Sequence, residues 1–459
     1  MGWPPPPGQP DPGPAQSQPA AERWAWARWS SLGIAGLGAL LGGLAGGLVV
    51  VGVTLVLKAG IDFASGQGTW FVLTVPPLGL LLAVLTLHGY GLLAGAPVQK
   101  KRARSWRTFP PPDAARADIS ADVVASAGQE ERFPWRLAPI RTVAILATVG
   151  LGGAMGTEAP AAYLGVATGV CLGDRGRWWR RLLRPAALAG GAAGVAALMR
   201  IPLVGTLFML ELGRRRQAPV SAERVLAALV GGVIGWGIDA FFGLSLIRLV
   251  VPKEAPGTLA QAIVTALFIG AASGAISAAA GAAVFKAKKW QAAPAVRLVL
   301  GVTATIVIAL ALVRIAVPSA AVGPGGGAIL WAEGVDAPPS SALAVCLLRA
   351  AATTAAVLAG GCGGVFVPFL AVGDLAGRVF APGLRVGHDL AGAAGAAAGI
   401  AGGYRLPLTA VAMVLGYGGP PRATLTCLGT ILTASAAAAA FDGLLSRAKK
   451  LGRRSAGRS

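Results

Sequence analysis

Four stretches of this chain, Ser31 to Leu57, Thr258 to Phe285, Ala350 to Gly373 and Ala423 to Ala440, carry no charged residue. About 20 apolar residues suffice to cross a bilayer as a helix, so these runs predict an all-α polytopic membrane protein. The composition agrees, with 55% hydrophobic and 13% charged residues in 459. The 67 glycines suit helices whose backbones approach closely in lipid.

The 40 Lys and Arg against 19 Asp and Glu give a net charge of +21. In a soluble protein that excess suggests nucleic acid, but here it clusters at the ends of apolar segments: Lys100 to Arg107, Arg175 to Arg184, Arg214 to Arg216, Lys286 to Lys289 and Arg447 to Arg454. That is the pattern of cytoplasmic loops, with anionic lipid headgroups as partners and no nucleic acid. It places a multi-pass protein in a cell membrane with both termini cytoplasmic. Cys171, Cys346, Cys362 and Cys427 show no CxxC spacing, and His88 and His388 stand alone. No metal, cofactor, disulfide framework or enzyme chemistry is expected.

Residues 1–29 read as a Pro-rich tail ending in an interfacial anchor, residues 30–450 as the membrane domain, and 451–459 as a basic tail. The apolar block Trp70 to Leu93 is interrupted by Pro76-Pro77. Residues 99–136 form the one long hydrophilic insertion, expected outside the membrane with a short helix. Several later apolar pieces, such as Pro185 to Met199 and Ile201 to Leu210, are too short to span alone, which implies tilted or broken helices.

A lone carboxylate lies between two uncharged runs, in Gly156-Thr157-Glu158-Ala159-Pro160. An acid at membrane depth costs roughly 2.5 to 3.5 kcal/mol on insertion scales, so Glu158 is a functional group facing a protein interior or a pore; the competing reading pairs it with an arginine such as Arg141. The chain also repeats itself. Arg200-Ile201-Pro202-Leu203 is echoed by Arg405-Leu406-Pro407-Leu408, with Pro160 lying 42 residues before Pro202 and Pro368 lying 39 before Pro407. Paired broken segments at corresponding places in two halves point to a transport site at a repeat interface. The repeats are expected over about 90–250 and 296–448.

Together with Gly364-Val365-Phe366-Val367-Pro368, these motifs resemble the CLC family of chloride channels and proton-coupled chloride transporters. The first motif is similar to the family's Gly-(Lys/Arg)-Glu-Gly-Pro, with Thr157 and Ala159 as departures; the second matches its Gly-x-Phe-x-Pro segment. The resemblance implies an inverted repeat of broken, tilted helices and a homodimer with a pore in each subunit. Backbone groups at Gly156, Thr157, Ala159, Pro160, Gly364, Val365, Phe366, Val367 and Pro368 would bind chloride or another small anion. Glu158 would gate the pore, filling an anion position when ionised and swinging out when protonated. Half-helices with converging N-termini make such a filter without a buried cation.

Three other family positions are altered. The first filter segment is best matched by Ala94-Gly95-Ala96-Pro97, with Ala94 in place of a serine, and the inner tyrosine by Phe441. The inner acid of the family's proton-coupled members falls on Leu212. Glu211, Asp239 and Asp374 offer other proton routes, each also explicable as a helix-end or loop residue, and Tyr404 reads as structural. The expected activity is transmembrane anion transport, as a channel or a weakly proton-coupled antiporter. The alternatives are an unrelated secondary transporter for a small anionic solute and a non-conducting CLC-like membrane protein.

Overall fold

A computed structural model describes residues 20–94, 119, 123–124, 133–174, 182–215, 217–244, 247, 249–335 and 337–456. Helices account for most of them. In chain order they are α1 (Ala20–Ser65), α2 (Thr69–Ala94), α3 (Ala138–Ile145), α4 (Glu158–Gly173), α5 (Leu183–Met199), α6 (Pro202–Arg214), α7 (Ala222–Phe242) and α8 (Leu259–Lys289). There follow α9 (Pro294–Ile315), α10 (Gly326–Gly334), α11 (Pro339–Ala359), α12 (Phe366–Val379), α13 (Ala381–Leu384), α14 (His388–Gly399), α15 (Pro407–Tyr417) and α16 (Pro421–Ala456). Short π-helical turns follow α3 at Leu146–Gly150 and α14 at Ile400–Tyr404. Among the described residues, seven helices are long and apolar enough to cross a membrane, and α5 and α15 are shorter apolar helices.

The local sequence explains the boundaries. Ser221 and Thr258 cap α7 and α8, their hydroxyls accepting the amides of Arg224 at 3.4 Å and Gln261 at 3.1 Å. Pro202 and Pro407 begin α6 and α15, where a missing N–H costs nothing. The arginine two residues before each proline is left-handed, Arg200 at φ 57° and Arg405 at φ 62°. The matching Arg-x-Pro-Leu sequences therefore make matching corners, an uncommon conformation for a side-chain-bearing residue.

The two halves are also built on matching helix crossings. In the first, α4 meets α5 at Gly165 and Gly190; in the second, α12 meets α14 at Gly373 and Gly395. A Cβ on Gly165 would lie 2.0 Å from the Gly190 carbonyl oxygen, and one on Gly373 would lie 2.2 Å from that of Gly395. Each glycine's partner is equally intolerant. Both pairs sit about two turns into a helix that starts at a signature motif, which ties the crossing to the site. Every residue of α14 from Leu390 to Gly399 is buried, and alanine and glycine leave little else to fill that space.

Several expectations need adjustment. Pro76-Pro77 does not interrupt α2, which runs through both as a continuous helix. Both prolines are buried, and a membrane helix tolerates lost donors when neighbouring elements pack over them. Within the insertion 99–136, Ile119 and Val123 are helical, four residues apart, and buried against the main core. The first helix already begins at Ala20, in the stretch expected as tail and interfacial anchor, and α16 continues to Ala456.

Three arginines, Arg141, Arg349 and Arg378, are among the largest fully buried side chains. Arg378 Nε donates to Asp374 Oδ1 at 2.6 Å and Nη2 lies 3.4 Å from Glu333 Oε1. Arg349 instead donates to the carbonyls of Ala320 and Gly323 in the turn before α10.

The crossing geometry gives a first prediction. Gly165→Val, whose Cβ would meet unyielding backbone, is expected to destabilise the protein by about 3 kcal/mol or more, read as a lowered melting temperature in detergent. Gly36→Ala, with open space around it, is the control and should leave stability unchanged or raised.

Candidate functional site

The stretch from Leu151 to Thr157 has few side chains, and backbone contacts hold it. Gly152 turns the chain at φ 86°, and the Gly153 amide returns to the Thr148 carbonyl at 2.8 Å. The corresponding stretch after α11 turns at Gly360, φ 94°, and the Cys362 amide donates to Thr148 Oγ1 at 3.0 Å. These turns bring two glycines face to face. Gly156 and Gly364 exchange both N–H···O bonds at 2.8 Å, an isolated antiparallel bridge between the two motifs.

Two residues beyond each bridging glycine a helix begins, α4 at Glu158 and α12 at Phe366. The first amides of a helix have no partner within it and carry the positive end of its dipole. Glu158 Oε1 accepts the Phe366 amide at 2.6 Å, and the amides of Val367 and of Glu158 itself also face the carboxylate. The side chain is fully buried. Its position accounts for the glycines: a Cβ on Gly156 would lie 2.2 Å from Glu158 Oε2, and one on Gly364 would lie 2.0 Å from Oε1. The carboxylate thus fills a cradle of main-chain atoms. Among the described residues Oε2 accepts no hydrogen bond, and the buried Thr157 hydroxyl has no hydrogen-bond partner.

Such a cradle recognises a compact negative group through neutral donors. Here the group that occupies it is the Glu158 carboxylate. Arg141 does not supply the partner that the competing reading required in the contacts seen around Glu158; its guanidinium lies over the Tyr163 ring, 5.0 Å from the centroid.

Of the expected site residues, the fold brings together Gly156, Thr157, Glu158, Gly364, Val365, Phe366 and Val367 at the bridge and the α12 start. Ala159, Pro160 and Pro368 are buried in the first turns of α4 and α12. Ala94 ends α2, and Gly95, with the rest of that expected filter segment, lies outside the described residues. Phe441 is half-buried on α16. The rings that meet Phe366 are instead Phe208, with centroids 5.9 Å apart, and Tyr404, at 5.7 Å. Tyr404 stacks on Phe208 and also touches Phe369. From the sequence Tyr404, beside Arg405, could supply the missing inner hydroxyl or serve as a structural residue; what the sequence does not show is its ring against Phe366.

No hydrogen bond among the described residues joins the three candidate proton-route acids to Glu158. Glu211 caps α15: Oε1 accepts the Leu408 amide at 3.1 Å, and Oε2 accepts the Thr409 amide at 2.9 Å and its hydroxyl at 2.8 Å. Asp374 pairs with Arg378 further along α12. Asp239 is buried on α7, which packs on α1, α5 and α6.

A sequence model of the voltage gated chloride channels matches residues 104–442. The H(+)/Cl(-) exchange transporter ClcA of Yersinia pestis bv. Antiqua (strain Angola) is 28% identical over 320 residues, 65% of this chain and 65% of that protein. ClcA of Salmonella paratyphi A is 28% identical over 333 residues, 65% of this chain and 66% of that protein. The chain therefore spans just under two thirds of the length of these curated relatives. Among solved structures, a slow cyanobacterial Cl-/H+ antiporter aligns with a TM-score of 0.62 at 20% identity, covering 90% of this chain and 98% of that one. A CLC-type fluoride/proton antiporter aligns at 0.65 and 20%, covering 91% and 96%. At these identities the likeness establishes the fold.

Glu211 supplies a testable element of this architecture. Glu211→Ala leaves two amides and a hydroxyl at the α15 start without their acceptor, and stability is expected to fall by about 1–3 kcal/mol in thermal unfolding. An unchanged melting temperature would show that the cap contributes nothing.

Proposed function

The chain belongs to the voltage gated chloride channel family, and from that membership we propose that it carries small anions, chloride foremost, across a membrane through the Gly156–Gly364 cradle with Glu158 as its gate. The observation that carries this reading is the Glu158 carboxylate lying in a pocket of main-chain atoms whose glycines have no room for a Cβ while it is there. A group that occupies an anion's place competes with the anion. Ionised, it blocks the cradle; protonated, it loses its charge-assisted bond to the Phe366 amide and yields the place.

Neutral amides suit transport as well as binding. They replace part of an anion's hydration shell without the deep well that a buried arginine would create, so the ion can leave. The Phe208 and Tyr404 rings pack on the phenyl ring of Phe366, the residue whose amide holds Glu158.

Coupling to protons is weak in this proposal. Glu211 is engaged by three donors at the start of α15, and its neighbour Leu212 is apolar and buried. The protein works as a homodimer with a pore in each subunit, in contact with anionic lipid through its basic segment ends, and with both termini in the cytoplasm.

The test is anion flux from liposomes holding purified protein. Wild-type chloride flux is expected to rise severalfold on acidification, and Glu158→Gln is expected to conduct at all pH values with that response gone. Chloride, fluoride and nitrate gradients rank the anions. A variant keeping the full pH response would remove Glu158 from the gate, and wild-type protein passing no anion would reject transport.

A further inference from the structure

A line of contacts runs from solvent to the Glu158 cradle on the side of Phe366. Arg215, exposed at the end of α6, places its guanidinium carbon 5.5 Å from the centroid of the Tyr404 ring. Tyr404 is half-buried and its ring meets the ring of Phe366 edge-on, at an interplanar angle of 82°. Phe366 is fully buried, and its amide holds Glu158. Arg215, Tyr404 and Phe366 thus form an unbroken series of contacts from the exposed end of α6 to the α12 amide that holds Glu158.

Arg215 grips the same residue twice. Its Nη2 donates to the Tyr404 carbonyl and, at 3.0 Å, to the Arg405 carbonyl, while its charge faces the Tyr404 ring. The segment it holds is poorly held by its own helix: Tyr404 ends a π-helical turn, Arg405 is left-handed and Pro407 lacks an amide hydrogen. Glu211, one turn before Arg215 on α6, binds the next residues, Leu408 and Thr409, and lies within the field of Arg215. One end of α6 therefore holds the corner from Tyr404 to Thr409 from one side, and Asp442 on α16 holds the Arg405 side chain, Nη2 lying 2.9 Å from each of its carboxylate oxygens.

We propose that Tyr404 is a second gate, covering Phe366 on the side opposite to the cradle, and that Arg215 is the positioning residue that holds it closed. This rests on the anion-transport reading above. The two carbonyl bonds fix the backbone that carries the ring, and the cation–π contact has to be released for the ring itself to swing, so opening on this side is set by Arg215 and not by the charge of Glu158. The tyrosine acts through its ring and not as an ion ligand.

The experiment measures initial chloride efflux from liposomes for wild type, Tyr404→Ala, Tyr404→Leu, Arg215→Gln and the double variant Tyr404→Ala/Arg215→Gln, each confirmed as folded by gel filtration. Both Tyr404 variants and Arg215→Gln are expected to conduct severalfold faster than wild type. The double variant should be no faster than Tyr404→Ala, because the latch has nothing left to hold. The leucine variant keeps the corner packed should alanine destabilise it. The pH response set by Glu158 should persist in all of them, which a general loosening of the fold would not preserve. Unchanged flux in the folded Tyr404 variants overturns the gate. A fall in Arg215→Gln overturns the latch and makes Arg215 an attractor of anions, and additive effects in the double variant separate the two residues. Wild-type protein without chloride flux fails the transport reading itself, a result distinct from all of these.

Discussion

The pair of main-chain hydrogen bonds between Gly156 and Gly364 is the joint on which the molecule depends. It ties together two segments more than two hundred residues apart in sequence and sets the first turns of α4 and α12 side by side. Neither helix could bring its free amides there if the crossings behind them were wider, and those crossings rest on glycine meeting glycine carbonyl at Gly165 with Gly190 and at Gly373 with Gly395. The abundance of glycine is thus a consequence of geometry. Helices that start in the middle of a protein must be held from the side, and close backbone contact is the strongest hold available where no hydrophobic force separates helix from lipid.

The treatment of charge follows from the same arrangement. Glu158 sits fully buried against amides, held by the start of a helix and not by a cation. Asp374 is equally buried yet paired with Arg378, and breaking such a pair leaves an uncompensated charge behind. One carboxylate is held by neutral amides and the other by a full opposite charge. The difference lies in the neighbour, since a helix terminus offers only part of a charge and an arginine a whole one.

The end of α6 links the two halves. Glu211 and Arg215 reach across to the corner before α15, one binding amides and the other carbonyls. A contact in the reverse sense joins the other ends of the same helices, where Gly416 closes on the side chain of Ile201. The Arg-x-Pro-Leu corners are therefore structural counterparts and mutual supports. Their left-handed arginines terminate one helix and redirect the next without a glycine.

By itself the sequence determined the all-α membrane class, the paired corners and the buried acid, because those are properties of short stretches: uncharged runs long enough to span, a proline two residues after an arginine, one carboxylate among apolar neighbours. It also marked both motifs that form the cradle. The tertiary structure alone decided what surrounds them. It showed α2 passing through Pro76-Pro77, Ile119 and Val123 entering the core from a hydrophilic insertion, Glu211 spent on the start of α15, and Tyr404 rather than Phe441 against Phe366. Each of these depends on which distant segment lies alongside. A local pattern fixes the period and polarity of a helix, but the identity of its neighbours is set by how whole helices pack, and a side chain's role follows from the neighbour it meets.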